Sequence, residues 1–372
     1  MMGDRKKQAA GNNSQQIQAN TINITNVNGI DEKRAREIVR EMYAVARRDF
    51  SHDAYECANQ RIAMFEESLM SKITKIDGAL EKFSDPSFQL LLTEAHKTAA
   101  STEREADYDL LSELLIHRIK KGELRKTRVG LKRAVEIVDQ IDDDALCAIT
   151  IVHVVGKLLP IIGTINGGLD ALQDIFEKLE YLNLPEGTEW IEHLDILNAV
   201  RINTFGRLKK LNQVYTERLD GYLCVGIRKK SENYDKAIAL LDSIKFPASI
   251  LINHELLNDY VRLPIVTLDT IETLSLTLEY ESEEGAISRK EIIASDEQKQ
   301  CLRKIVKLYD NSEEMKQQVV NSFMCQLRNR KSLRILQEWW DSIPVSFEMT
   351  AVGTALAHAN AQRCYPNIPP MD

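Results

Sequence analysis

Apolar residues recur every three to four positions over most of the chain beyond residue 30, which is the spacing of one face of an α-helix. The first such segment, 31–48, starts with an aspartate that suits a helix N-cap, and a second carries apolar residues from 58 to 80. Pro86 suits the first turn of a third helix. Further helices are predicted at 103–121, 124–141, 143–158, 188–201, 207–218, 233–244, 249–259, 296–309, 312–328, 331–341 and 349–362. The pattern therefore predicts a mainly α protein, built as a multi-helix bundle array.

Polar stretches containing glycine interrupt this pattern and divide the chain. Asn166-Gly167-Gly168, Asn183–Gly187 and the polar stretch 280–292 each predict a loop. The predicted organisation is a disordered leader at 1–10, a polar β-prone self-association segment at 11–29, an α-helical domain at 30–182 and a second, less regular α-helical domain at 183–372.

Residues 11–29 differ in kind from the rest of the chain. Nine of these nineteen residues are Asn or Gln, none is charged, and Ile17, Ile22, Ile24 and Val27 give a partly alternating apolar pattern. Uncharged strands of this composition pair well with copies of themselves, because their amide side chains form hydrogen-bonded ladders. We expect a self-association strand, with docking to another protein and a disordered leader as the alternatives.

The most apolar stretch of the chain, 145–165, is long enough to suggest a membrane span. His153 and Lys157 lie inside it, however, and a charge near the bilayer centre costs about 2.5–3.5 kcal/mol. Asp142 to Asp144 suit a helix N-terminus, and Pro160 ends or kinks the helix. We interpret the segment as a central buried helix, with a membrane-inserting element as the alternative.

Charge and cysteine content bound the partners and the compartment. The chain of 372 residues has a formal net charge of -8 and a pI of about 5.6, which argues against a surface built for nucleic acid. Its six cysteines are widely spaced and form no CxxC motif, and the first thirty residues contain no apolar signal-peptide core. A cytoplasmic protein with free thiols is expected, and neither nucleic acid nor a membrane is expected as partner.

The sequence carries no phosphate-binding loop, dinucleotide fingerprint, zinc-protease or nucleophile-elbow motif. Arg47 and His52 have the spacing of the arginine and histidine of the all-α HEPN ribonucleases, but that spacing also arises by chance. We expect a structural role for His193. We also expect one for His358 and Asn360, whose side chains would form hydrogen bonds across a helix interface. No cofactor and no metal ion are predicted.

Both ends of the chain resemble a known group. The run from Gly11 to Ile24 is similar to a GDNSxxxQAGxxxxI-type segment found on prokaryotic proteins of antiviral conflict systems, although Asn12 and Asn20 replace its aspartate and second glycine. The tail 349–363 resembles a VGxAIAHAN-type helix in an uncharacterised bacterial family of helical proteins that also bear this leader. The resemblance implies a prokaryotic antiviral or stress-response setting and carries over no catalytic residue.

Three functional hypotheses follow from the sequence. The first is an interaction or scaffold protein that forms a homo-oligomer through residues 11–29. The second is an all-α ribonuclease-like enzyme with its site near Arg47 and His52. The third is a membrane-acting effector that uses 145–165.

Overall fold

The computed structural model describes residues 30–46, 54–121, 124–273, 275–281 and 287–370. This part of the chain is mainly helical, with short strands between the helices, so the predicted fold class is confirmed. The β-prone segment 11–29 lies outside the described residues.

The secondary structure is as follows. The helices are α1 Glu32–Ala46, α2 Tyr55–Ile73, α3 Pro86–Ser101, α4 Glu105–Lys121, α5 Arg125–Glu136, α6 Asp143–Lys157, α7 Ile165–Leu179, α8 Glu189–Ile196, α9 Leu211–Arg218, α10 Glu232–Ser243, α11 Asp296–Val306, α12 Glu313–Arg328, α13 Lys331–Ser342 and α14 Ala351–Cys364. The strands are β1 Val200–Asn203, β2 Ile227–Arg228, β3 Ile252–Asn253, β4 Tyr260–Arg262, β5 Ser275–Glu281, β6 Ile287–Ile293 and β7 Ser346–Met349. Among these strands, β1 pairs with β7, β4 lies between β2 and β3, and β5 pairs with β6, all antiparallel.

The last helix packs in the middle of the first ones. Along α14, glycine and alanines are buried against α4, α5 and α6. A Cβ atom at Gly353 would collide with the carbonyl oxygen of Ala199, so only glycine allows this approach of α14 to the chain before β1. The main core therefore runs from Ala35 to Ile368 and contains residues from both sides of position 182. The boundary between the two predicted helical domains stays a prediction.

Helix α6 is the central buried helix that the sequence predicts. It starts at Asp143 after the aspartate Asp142, ends at Lys157 before Pro160, and buries most of its side chains. Within the described part of the chain, no helix combines the length and the apolar character that crossing a membrane requires.

A second, smaller core lies around α10, α11 and the three-stranded sheet. Arg262, at the end of β4, is fully buried between the two cores. Its guanidinium donates to the carbonyl oxygens of Leu263 (2.9 Å) and Gly163 (2.8 Å), and more weakly to those of Gly221 and Ile265. Arg262 therefore ties together loops that would otherwise leave buried carbonyl groups unpaired.

The prediction of a helix at 249–259 is wrong. A short 3-10 turn, Ala248–Ile250, leads into β3, and the chain then turns through Asp259, whose φ is 63°. His254 accepts a hydrogen bond from the Leu256 backbone N–H at 3.1 Å, which satisfies the backbone outside a helix.

Three other boundaries also differ from the sequence prediction. Both ends of the loop predicted at 280–292 are instead in strands, because β5 and β6 pair from Ser275 with Ile293 to Glu281 with Ile287, while 282–286 lie outside the described residues. The predicted loop at 166–168 forms the first turn of α7, where the Glu255 carboxylate accepts hydrogen bonds from the backbone N–H groups of Ile165 and Asn166. The predicted helix 188–201 ends at Ile196, and its last residues enter β1.

Candidate functional site: a pocket lined by buried histidines

A cavity of about 580 Å³ lies between α5, α6 and α14. Helix α14 presents Thr354 and His358 to it, which are one turn apart, and α6 presents His153 and Lys157, also one turn apart. The full lining is Lys126, Thr127, Leu131, His153, Lys157, Leu158, Met349, Thr350, Ala351, Thr354, Ala355, His358, Pro369 and Pro370. The residues of three helices and the C-terminal segment thus meet at one site.

His153 and His358 form a hydrogen-bonded pair at the inner end of this cavity. Nε2 of His153 lies 3.0 Å from Nδ1 of His358, so one ring donates and the other accepts. The ring of His117, on α4, lies 5.1 Å from that of His358, centroid to centroid, and its Nε2 donates to Oε1 of Gln362 at 2.6 Å. Three helices therefore contribute one imidazole each to a single cluster.

Each imidazole of this cluster leaves one ring nitrogen atom without a hydrogen-bond partner among the described residues. Nδ1 of His153, Nε2 of His358 and Nδ1 of His117 have no hydrogen-bond partner among the described residues, although each side chain is only 3% exposed. An unpaired buried polar atom costs roughly 1–3 kcal/mol, and native proteins rarely leave one without a ligand or water. His153 and His358 line the cavity, so a bound molecule could satisfy their nitrogen atoms.

Burial keeps these imidazoles neutral. It lowers the pKa of His153 to about 4, assisted by the charges of Lys157 and His117. Burial is also the main reason that the pKa of His358 falls to about 3, and electrostatic interactions with His117 and His153 lower it further. The nearby backbone of Pro369 raises the pKa of His358, although it makes no hydrogen bond of normal geometry to Nε2. At neutral pH the pair therefore offers hydrogen-bond donors and acceptors without a net charge.

The rim of the cavity is positive. Lys126 and Lys157 line it, and no aspartate or glutamate of the described residues does so. The N-terminus of α5, which carries the positive end of the helix dipole, has no side-chain cap. A site with two ammonium groups and buried neutral donors suits an anionic group of a small molecule. In the described part of the chain, no group of three or more His, Cys, Asp and Glu has the arrangement of a metal site.

A polar network behind the pocket fixes α14 against α6. Asn360 donates to Oγ1 of Thr150 at 2.8 Å and to the hydroxyl of Tyr181 at 3.1 Å, while Arg363 donates to its Oδ1 at 2.9 Å. His358 and Asn360 thus both bond across a helix interface, as the sequence indicates. This network holds the pocket wall in one position.

The residues that the sequence singles out for self-association, Ile17, Ile22, Ile24 and Val27, lie outside the described residues. Arg47 and His52, the ribonuclease candidates, also lie outside them.

His193 has a local structural role. Its Nε2 accepts from the Asp142 N–H at 3.2 Å, beside the start of α6. Trp339 and Trp340 donate to the carbonyl oxygens of Pro185 and Lys209 and thereby anchor α13.

Sequence reasoning missed the cluster, and His117 in particular. The available signal was that three of the seven histidines, His117, His153 and His358, are each set among apolar or small residues on a predicted helix. A histidine in such a setting is buried, and buried imidazoles need partners. The sequence gives no indication that the three meet.

The chain belongs to the family whose model, described as ":-like", matches residues 29–369. That range includes all the helices that form the histidine pocket. No curated protein and no solved structure matches the chain significantly. The chemistry of the pocket is therefore the main guide to function.

Proposed function

We propose that this protein is an interaction protein, not an enzyme, whose helical body binds a small anionic molecule in the histidine pocket and whose residues 11–29 hold copies together. The single observation that supports ligand binding is a cavity with a positive rim lined by His153 and His358, two buried histidines that each leave one ring nitrogen atom without a partner among the described residues. Such groups are costly in an empty pocket and become favourable when a ligand pairs with them.

Binding of an anion would change the protonation of the pocket. A negative charge beside His153 or His358 favours the imidazolium form and raises its pKa. With ligand bound, the pocket therefore takes up protons at a higher pH than it does without ligand, and the ligand binds more tightly as the pH falls through that range. Lys126 and Lys157 supply charge at the mouth, and the first turn of α5 supplies backbone N–H groups.

Titration calorimetry tests this pocket with inorganic phosphate, pyrophosphate and adenosine monophosphate as probes. We expect at least one of them to bind, with net proton uptake seen as a difference between buffers of unlike ionisation enthalpy. Lys157→Gln or His358→Gln is expected to weaken that binding about tenfold or more, equivalent to about 1.4 kcal/mol. Lys236→Gln, which removes an exposed lysine on α10, serves as the control.

The pocket hypothesis fails if none of the three probes binds, or if binding survives unchanged in both pocket variants. Equally weakened anion binding in the Lys236→Gln control would show that the anion responds to the net charge of the protein and not to the pocket. Circular dichroism under the conditions of the titration checks that the His358→Gln variant is compared as a folded protein.

The self-association part of the proposal rests on the composition of residues 11–29. Absolute mass from light scattering is expected to show an oligomer for the full chain and a monomer after removal of 1–29. Ile22→Asp with Ile24→Asp should have the same effect, because identical charged strands in register repel one another. Asn23→Ser, a polar exchange between them, should leave the mass unchanged. A monomeric full chain would contradict self-association through residues 11–29 and would leave the pocket hypothesis unaffected.

The setting we propose is a prokaryotic antiviral or stress-response module in the cytoplasm, and its support is the resemblance of both chain ends to that family. Multivalent assembly would then convert ligand binding into a sharp response. The membrane-effector hypothesis is not favoured, because α6 would have to leave the core against which most of its side chains are buried. No observation on the described residues favours the ribonuclease hypothesis.

A further inference from the structure

A second depression, of about 470 Å³, lies on the opposite side of α5 from the histidine pocket, between α3, α4 and α5. Its surface exposes Leu90 of α3 and Val129 of α5, which are 70% and 64% accessible. Arg118, Arg125, Arg128 and Lys132 surround these apolar side chains. We call this surface the α5 groove.

The charge of the α5 groove is opposite to that of the chain. Between Arg118 and Arg133 the sequence has eight lysines and arginines and one acidic residue, whereas the whole chain has a net charge of -8. Arg118 pairs with Asp85, and Lys132 and Arg133 pair with Glu136. Arg125 and Arg128 form no ion pair with a described residue, so their charges are available to a partner.

The spacing of the groove residues matches a helix. Arg125, Arg128 or Val129, and Lys132 follow one another at three- to four-residue intervals along the exposed side of α5. At 1.5 Å per residue they span about 10 Å, the length of two helical turns. A partner helix with acidic residues at i, i+3 or i+4, and i+7 would place one carboxylate beside each cation, and its apolar residues would cover Leu90 and Val129.

We propose that the α5 groove docks an acidic amphipathic helical segment of a partner protein. The exposed Leu90 and Val129 favour protein over nucleic acid, because they offer nothing to a phosphate backbone. Among the described residues, the groove lining also contains no aromatic side chain on which bases could stack. Charge complementarity excludes this chain's own leader, since residues 1–10 are basic and residues 11–29 are uncharged. The inference is independent of the ligand in the histidine pocket.

Fluorescence anisotropy tests the groove with one defined probe. The probe is a labelled acidic peptide of about five helical turns, with leucines repeating at i, i+3, i+4 and i+7 on one face, glutamates at i, i+3 or i+4, and i+7 along the adjacent face, and alanines elsewhere. We expect it to bind the full chain, and a lysine-for-glutamate version of the peptide not to bind. Arg128→Glu with Lys132→Glu should weaken binding at least about tenfold.

A matched control separates the groove from general electrostatics. Lys304→Glu with Lys307→Glu makes the same charge change on exposed positions at the end of α11 and should leave peptide affinity within about twofold. Because Arg128 and Lys132 do not line the histidine pocket, anion binding there should persist in the groove variant.

Four results would overturn the proposal. They are no peptide binding to the full chain, equal weakening in both charge-reversal variants, tighter binding of a single-stranded oligouridine that the groove variant loses, and a drop in oligomer mass on Arg128→Glu with Lys132→Glu. The third result would identify a nucleic-acid surface, and the fourth would identify a second copy of this chain as the occupant.

Discussion

Replacement of Arg262 by methionine is expected to lower the free energy of unfolding by about 3–5 kcal/mol, the usual cost of breaking a buried charged network. The substitution keeps a long apolar side chain but removes every donor to the carbonyl oxygens of Leu263, Gly163 and their neighbours. It also leaves the Glu255 carboxylate, 3.6 Å from Nη2 of Arg262, without its nearest cation. Urea denaturation of the two proteins measures the difference.

Arg228→Met is the matched control, because Arg228 lies on the neighbouring strand β2 but is exposed. Its loss of stability should stay within about 0.5 kcal/mol. The idea that Arg262 joins the two cores would be wrong if both variants lost the same small amount. Hydrogen exchange adds a local readout, since the amides of the smaller core around α10 and α11 should lose protection before those of the main core.

Helical periodicity together with capping residues was sufficient to predict most of the helices. The capping signals identified α3 from its Asp85-Pro86 start and α6 from its aspartates and Pro160, and the structure places both helices there. These segments are predictable because capping and backbone restrictions act within a few residues. In α14, Gly353 allows a close approach to the chain before β1.

Prediction was wrong where distant contacts decide the local structure. Ile250 and Leu257 are seven residues apart, which suits one face of a helix, but pairing of β3 with β4 and the side chain of His254 select an extended path. In β5, Leu276, Leu278 and Tyr280 alternate with polar residues, which is the period of a strand. The glutamates and glycine that follow favoured a loop prediction instead. Neither case could be settled without knowing which segments meet.

The candidate site was still less predictable. His153 and His358 are 205 positions apart, and their pairing depends on which helices α14 contacts. Periodicity gives the buried face of each helix but not the neighbour against which that face packs. Net charge does not locate charge on the surface, because this acidic chain carries Lys126 and Lys157 on one side of α5 and the groove cations on the other.

The buried imidazoles should make the protein lose stability as the pH falls from 7 to 5. In the unfolded chain a histidine takes up a proton near its ordinary pKa of about 6.5. In the folded protein His153 and His358 remain neutral until about pH 4 and pH 3. Unfolding therefore binds protons in this window, so the stability that these residues contribute is complete above pH 6.5 and declines as the pH falls toward 4.

The expected size of this effect is about 2 kcal/mol for each of the two histidines between pH 7 and pH 5, from about 1.4 kcal/mol per pKa unit. Urea denaturation at both pH values measures it. The double variant His153→Gln with His358→Gln, which cannot be protonated at these positions, should lose the part of the slope that the pair contributes, whereas His193→Gln should retain it. Burial also lowers the pKa of His117 and of His254, so their part of the slope remains in the double variant. A wild-type slope that persists in the double variant would assign the pH dependence to other groups. Proton-detected titration of the two imidazoles should give values well below 6.5, and ordinary values would contradict the buried, neutral pair on which the pocket depends.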